Sequence, residues 1–510
     1  MFAKVNSIGL LGMNSFGVGV EASVDNGLPR FDIVGLPDAA VSESRDRVRS
    51  AMKNSHFSFP GSRITVNLTP ADIKKEGPVY DLPVLIALLM ASGQLRCDID
   101  KSAFIGELSL NGKIRRINGT LPMVIKAKEL GYKDIYVPKE NANEGCVVKG
   151  IDVYSPDNIN ELFEHLTGKK RLSVVDTESF REDSYDFAFL PDFADVKGQY
   201  QVKRALEVAA AGGHNVLMIG PPGSGKSMLA QRLPSILPDM TFEESLDVTK
   251  MFSVAGLLEQ NVSLITARPF RSPHHSISTA GLTGGGRVPR PGEISLANHG
   301  VLFLDELPEF SRLSMEAMRQ PIEDGKITIS RVSGSLTYPS QVMLVCAMNP
   351  CPCGYYGHPT KECTCSKGAP AKYLSRVSGP LLDRLDIHIE VPHVDFEKLS
   401  GDEKSESSAD IKKRVDKARS IQNKRFAETP VTCNAKMTPS MTREYCRIDA
   451  ASKSLLENCF EKMGLSARAY DKILRIARTI ADLEGNDRIE VEHITEAVQY
   501  RSLDRKFWGR

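Results

Sequence analysis

The chain of 510 residues has no long hydrophobic run. Its longest apolar stretch, VLIALLM from Val84, is far short of the roughly 20 residues a membrane-spanning helix needs. The opening, MFAKVNSIGLLG, has neither a long h-region nor a small-residue cleavage site, so no secretory signal is expected and the chain is expected to be cytoplasmic. An excess of one charge is also missing: 65 Lys and Arg stand against 64 Asp and Glu, a net charge of +1. A polyanionic partner would therefore be met by local patches and not by a global field. No repeat of fixed period is visible, which argues against a solenoid. The composition that remains, 41% hydrophobic and 25% charged, is that of an ordinary globular protein, long enough for two to four domains. Ten cysteines without a signal point to a reducing compartment, where clustered thiols more often bind metal than pair.

Strand-like and helix-like runs alternate over 1–168, for example RITVNLTP and then DLPVLIALLMASG, closed by Gly93. A polar stretch over 169–191 reads as a linker. Alternation resumes over 192–396, now with Gly/Pro-rich insertions. A charged, serine-rich linker follows over 397–410, and 411–510 is helical in pattern. The fold class expected is α/β, then α/β, then a helical bundle.

The strongest local signal is VLMIGPPGSGKSML. An apolar run, Val216 to Ile219, precedes Gly220, Pro221, Pro222, Gly223, Ser224, Gly225, Lys226 and Ser227. Met228 then opens a helix-forming stretch. Such glycines let backbone N–H groups curl around phosphate oxygens. Lys226 would reach the β/γ-phosphates of ATP and Ser227 would hold Mg²⁺. In GVLFLDELPEF, Val301 to Leu304 lead into Asp305 and Glu306. Asp305 would bind Mg²⁺ through water and Glu306 would activate the attacking water. VMLVCAMN ends at Asn349, which either contacts the γ-phosphate or simply turns the chain before Pro350.

These stretches resemble Walker A, Walker B and sensor 1 of AAA+ ATPases. SGPLLDRLDIHIEV is similar to the arginine-finger segment of the magnesium-chelatase and minichromosome-maintenance ATPases. That resemblance makes Arg384 a finger inserted into a neighbouring subunit, with Arg376 as a second candidate or a surface ion pair. GLSARAYDKILRIARTIADLEG resembles the sensor 2 helix of the lid, which would bring Arg468 to the γ-phosphate. Its Ile473, Ile476, Ala477, Ile480 and Leu483 recur at helical spacing and read as core. FADVKGQYQVKRALEVAAAGGHN resembles the stretch flanking the adenine, carried over to Val196 and Gly198.

Two insertions could grip a polymer. The first, RPFRSPHHSISTAGLTGGGRVPRPGEISLANHG, gathers Arg268, Arg271, Arg287 and Arg290 and resembles the helix-2 insert of the same branch. The second, GKITISRVSGSLTYP, reads as a β-hairpin, with Lys326 and Arg331 as phosphate contacts or as ordinary surface charges. His274 and His275 lack a visible third ligand, so a metal there is not expected. Cys351/Cys353 and Cys363/Cys365 form two C-x-C pairs around Gly354 and Gly357. They could hold a structural Zn²⁺, with His358 able to replace one sulfur, or act as a redox switch, or pack simply as apolar groups.

The N-terminal region carries GELSLNGKIRRINGTLPMVIKAKELGYKDIYVPKENANE and KEGPVYDLP, which look like the Lon protease domain. A Lon-type enzyme needs a Ser–Lys dyad. The matching positions are Val79 and Leu121, so the resemblance implies the fold without proteolysis. Taken along its whole length, with RFDIVGLPDAAVSESRDRVRSA and PCPCGYYG, the chain resembles the YifB/ComM family of magnesium-chelatase-like proteins. That resemblance implies a homohexameric ATP-driven motor on single-stranded or branched DNA, promoting branch migration in natural transformation. An ATP-dependent metal-insertion motor and a non-motor regulator of a protein partner are the competing expectations.

Overall fold

The computed structural model describes residues 1–176, 191–286, 290–331, 334–393, 405–463 and 467–508. It divides into two compact units. The first is built on the N-terminal residues and also takes in Phe242–Thr266 and Ser330–Thr337. The second holds the remaining P-loop region together with the C-terminal helices. Two pieces of the segment 192–396 thus belong with the N-terminal fold, a long-range choice that no local pattern announces.

The first unit is a mixed seven-stranded sheet, ordered Arg30–Val34, Arg63–Thr69, Asn14–Asp25, Phe2–Leu11, Ser102–Phe104, Asp134–Tyr136, Asp152–Tyr154. Inward positions alternate along Arg63–Thr69, where Ile64, Val66 and Leu68 are buried. The run VLIALLM lies in the helix Asp81–Ala91, where all but Met90 are buried. It is a core helix, and among the described residues no helix is long and apolar enough to cross a membrane. Asp81 at its start is fully buried. It is kept there by Arg47, whose Nε donates to Oδ2 at 2.6 Å, and by the Leu108 N–H at 3.1 Å. A buried carboxylate needs such partners.

The second unit has a five-stranded sheet, all parallel, ordered Phe270–Arg271, Val301–Leu304, Met343–Met348, Val216–Ile219, Ile387–Glu390. Three of these strands are apolar and buried without interruption, as expected where both faces of a parallel sheet are covered. The linker expected over 397–410 runs into a helix, Ser408–Arg425, because the Ser407 side chain accepts from the Asp410 N–H and caps it. In the helix Ala467–Glu484 the expected core stripe, Ile473, Ile476, Ala477, Ile480 and Leu483, is buried. Each of the larger aliphatic side chains contributes about 1.5–3 kcal/mol by leaving water.

Candidate nucleotide site and cysteine knuckle

Sheet order builds the site. Val216–Ile219 pairs with Met343–Met348, which pairs in turn with Val301–Leu304, all in parallel. Parallel strands end on the same edge, so Gly220, Asn349 and Asp305 leave the sheet together. Gly220 must be glycine for lack of space: a Cβ there would lie 2.3 Å from the Val391 carbonyl oxygen. Gly223 and Gly225 adopt left-handed φ values of 76° and 88°, which turn the loop into the helix Lys226–Arg232.

The side chains converge as the motif requires. Lys226 Nζ donates to the carbonyls of Gly220 and Pro221, both at 2.9 Å, and to Asn349 Oδ1 at 3.2 Å. Ser227 Oγ donates to Asp305 Oδ2 at 2.5 Å. Burial draws the Lys226 pKa down, and the Asp305 carboxylate opposes that shift. Glu306 sits in left-handed backbone at φ 52°, a strained conformation of the kind that collects at functional sites. Around the pocket, Val196 is wholly buried in the core, Gly198 has φ 69°, and Met228 is exposed.

One neighbour of Glu306 escaped the motif search. His275 Nδ1 lies 3.3 Å from Glu306 Oε2. Arg271 pairs with Leu302, and His275 and Glu306 each follow four residues later, beyond the ends of both strands. Only the pairing of a two-residue strand makes that visible.

The candidate arginines sit apart from the P-loop. Arg384 lines a cavity of about 340 Å³ together with Arg468, Lys436 and Arg475, and none of Gly220–Ser227, Asp305 or Asn349 borders it. Arg384 is held by Glu323 at 2.6 Å and by the Arg319 carbonyl at 3.1 Å. Arg468 is largely exposed and lies 3.9 Å from Asp383. Arg376 makes a two-pronged exposed pair with Glu309, at 2.9 and 3.0 Å.

The basic insertion is less available than its composition suggests. Arg268 donates to the carbonyls of Pro238, Asp239 and His299, and Arg271 is bidentate to Glu293 at 2.6 and 2.8 Å. Both guanidinium groups are thus engaged by protein acceptors. Arg287 lies outside the described residues, as does the side chain of Arg331. Arg290 and Lys326 are exposed. The expected hairpin is present as Lys326–Arg331 paired with Gly334–Pro339.

The four loop cysteines close on one another. Cys351, Cys353, Cys363 and Cys365 place their sulfurs within 4.8 Å, with 3.3 Å from Cys351 to Cys353 and 3.7 Å to Cys363. These separations exceed a disulfide bond of about 2.05 Å. They suit four sulfurs around one ion at about 2.3 Å. The Tyr356 N–H donates to Cys351 Sγ at 3.3 Å, while burial pushes that thiol's pKa up to about 12. His358 is not part of the group; its Nδ1 accepts from the N–H groups of Thr360 and Lys361. The knuckle also touches the P-loop: at Gly354 (φ 85°) a Cβ would lie 2.4 Å from Pro222 Cδ.

In the N-terminal unit, Val79 and Leu121 are both buried apolar residues.

A glycine-led P-loop, an acidic strand end and a polar strand end on a parallel sheet define a P-loop ATPase. The model for "Magnesium chelatase, subunit ChlI" matches residues 192–399, with companion models for ChlI over 20–141 and its C-terminal part over 405–501. The "Uncharacterized protein YifB" of Escherichia coli is 43% identical over 98% of this chain and 97% of its own. The "Competence protein ComM" of Haemophilus influenzae is 42% identical over 99% of this chain and 98% of its own. The "Lon protease" of Mycoplasma mobile is 29% identical over 22% of this chain and 14% of its own. The chain belongs to the YifB/ComM family of magnesium-chelatase-like AAA+ ATPases.

Proposed function

We propose that the chain is a ring-forming ATPase motor that acts on single-stranded or branched DNA and promotes branch migration when transforming DNA is integrated. The observation that carries the motor reading is the convergence of Lys226, Ser227, Asp305 and Asn349 on one sheet edge. Full-length similarity to a competence protein supports the DNA reading. ATP brings the phosphoanhydride bond, and Mg²⁺ neutralises its charge. Lys226 exchanges its bonds to the Gly220 and Pro221 carbonyls for β/γ-phosphate oxygens. Ser227 and Asp305, already in contact, would hold Mg²⁺, which would supply positive charge against the phosphates. Glu306 takes a proton from the attacking water, and Asn349 orients that water or the γ-phosphate.

Arg384 and Arg468 serve a neighbouring subunit's nucleotide, because they share a cavity that excludes their own P-loop. Arg376 stays a second candidate for that role. Such a trans role calls for an oligomer, and the AAA+ family relationship supports a homohexamer. Lys326 at the hairpin is the exposed phosphate contact; Arg331 and Arg287 complete the basic set. The four knuckle cysteines would hold a structural Zn²⁺, with a purely sulfur donor set suited to a structural role. Buried Val79 and Leu121 support a fold without peptidase activity. A second reading, a metal-insertion motor, is favoured by the description of the matched family.

The test is ATP turnover at low salt with and without single-stranded DNA, for the wild type and Lys326→Ala. Stimulation that the variant loses supports the DNA motor. Absence of both DNA binding and stimulation overturns it and leaves the second reading.

A further inference from the structure

The N-terminal unit encloses a segment that belongs, by sequence, to the motor. The helix Phe242–Ala255 and the residues to Thr266 lie between the P-loop helix and the strand Phe270–Arg271, yet they fold with the first unit. Their seat is the start of the helix Thr120–Glu129. That helix opens on Gly119, whose N–H donates to the Ser253 carbonyl at 3.0 Å. A donor at one helix start thus meets a carbonyl in the last turn of another helix, which also accepts from the Gly256 N–H at 3.1 Å.

The bond does not stand alone. Ser253 Oγ donates to Glu144 Oε2, which also accepts from the Leu121 N–H at 3.2 Å, while Oε1 accepts from Asn141 at 2.6 Å. Glu144 and Ser253 are 4% and 3% exposed. A carboxylate so buried is costly unless saturated with donors, and the motor's serine supplies one of them. Around this centre the Asn143 amide donates to the Gln260 carbonyl at 2.9 Å, and Arg116 donates to the Leu258 carbonyl. Gly256 packs so closely that a Cβ would lie 2.9 Å from Asn118. Most of the hairpin strand Gly334–Pro339 also packs within this unit: Leu336 fills the space over Gly12, 3.0 Å from where a Cβ would be.

We infer that the place where a Lon-type fold would keep its catalytic lysine has become a socket for the motor's own insertion, and that the N-terminal unit moves with that insertion when nucleotide binds. Leu121 marks the place: its side chain is buried and apolar, while its N–H helps hold the carboxylate that seats Ser253. The N-terminal unit is then a lever on the two insertions, gripping one by hydrogen bonds at Ser253 and the other by packing at Leu336. This goes beyond the DNA reading and does not depend on it.

Amide hydrogen exchange on the full chain, with and without a non-hydrolysable ATP analogue, tests the socket. In the wild type the analogue changes exchange in Phe242–Ala255 and Thr120–Glu129 together. In Ser253→Ala, protection at the P-loop remains while the response of Thr120–Glu129 disappears. Basal exchange there rises about tenfold or more, the reach of one hydrogen bond to a buried carboxylate. Ser253→Thr, which keeps a hydroxyl, restores the response, and Glu144→Gln should reproduce the loss by a change on the other side of the bond. A nucleotide response confined to Phe242–Ala255, a response retained in Ser253→Ala, or no response at either helix overturns the proposal.

Discussion

Two helices of this chain begin alike and lead to different chemistry. Thr120–Glu129 starts after Gly119, and Lys226–Arg232 after Gly225, both glycines in left-handed backbone. After Gly225 come Lys226 and Ser227, and the neighbouring strands end in Asp305 and Asn349. After Gly119 come Thr120 and Leu121, and the nearby carboxylate of Glu144 is already saturated by protein donors. The first start leaves a cation and a hydroxyl–carboxylate pair that a nucleotide can claim. The second offers neither a cation nor an unsaturated carboxylate, only the unpartnered Thr120 hydroxyl. A backbone turn supplies the place, and the side chains that tertiary structure brings to it decide whether the place is a site or a joint.

The comparison can be broken by giving the second helix the chemistry it lacks. Leu121→Lys combined with Val79→Ser restores the residue types of the dyad. The expected outcome is no peptide cleavage and an N-terminal unit destabilised by about 3–5 kcal/mol, because a charge enters an apolar site. Thermal unfolding and a casein-cleavage assay check both parts; cleavage with unchanged stability would refute the reading of a joint.

The converse removes chemistry from the first helix. Lys226→Ala is expected to lower ATP turnover by about 10²–10³-fold, the usual cost of losing one preorganised charge-stabilising group. The fold should survive, since Lys226 is bonded to loop carbonyls and takes no part in the core.

A smaller effect sharpens how the P-loop is supported. Zinc removal by a chelator, or Cys351→Ser, is expected to weaken nucleotide binding about tenfold, since Gly354 of the knuckle packs on Pro222. Fluorescent-nucleotide titration beside metal analysis separates the claims. Less than one zinc per chain argues against the metal, whereas zinc present with affinity indifferent to its loss argues only against the support.

The smallest effect concerns pH. His214 is fully buried, with Asp386 3.5 Å away and Thr479 at 2.9 Å. Desolvation holds its pKa below the ordinary histidine value, only partly countered by Asp386. The unfolded chain therefore binds the proton first, below about pH 6.5, and stability is full above that value and lost as pH falls. Asp386, held low chiefly by Lys472 against its burial, adds to the loss at more acid pH. The expected loss is about 1 kcal/mol per pH unit below 6.5, and His214→Asn should flatten that part of a melting-temperature profile.

Much of the site was legible because its signals are local. A P-loop is eight consecutive residues, and a buried parallel strand is an uninterrupted apolar run, as at Val216–Ile219 and Val301–Leu304. Two C-x-C pairs flanking glycines announce a knuckle. Other features were invisible for a physical reason: they depend on partners far away in sequence. Arg268 and Arg271 look like free cations until the carbonyls and the carboxylate they hold are in place. His275 reads as half of an unexplained histidine pair until the fold brings its Nδ1 to 3.3 Å from Glu306 Oε2.

What the sequence by itself determined is the nucleotide-binding motifs and the helical core stripe from Ile473 to Leu483, since each is written in neighbouring residues or regular spacing. What only the tertiary structure decided is which fold owns each insertion, that Arg384 and Arg468 share a cavity away from their own P-loop, and that Ser253 sits on Glu144. Those outcomes turn on buried polar groups finding donors and acceptors across more than a hundred residues, and a chain read in order carries no record of that choice.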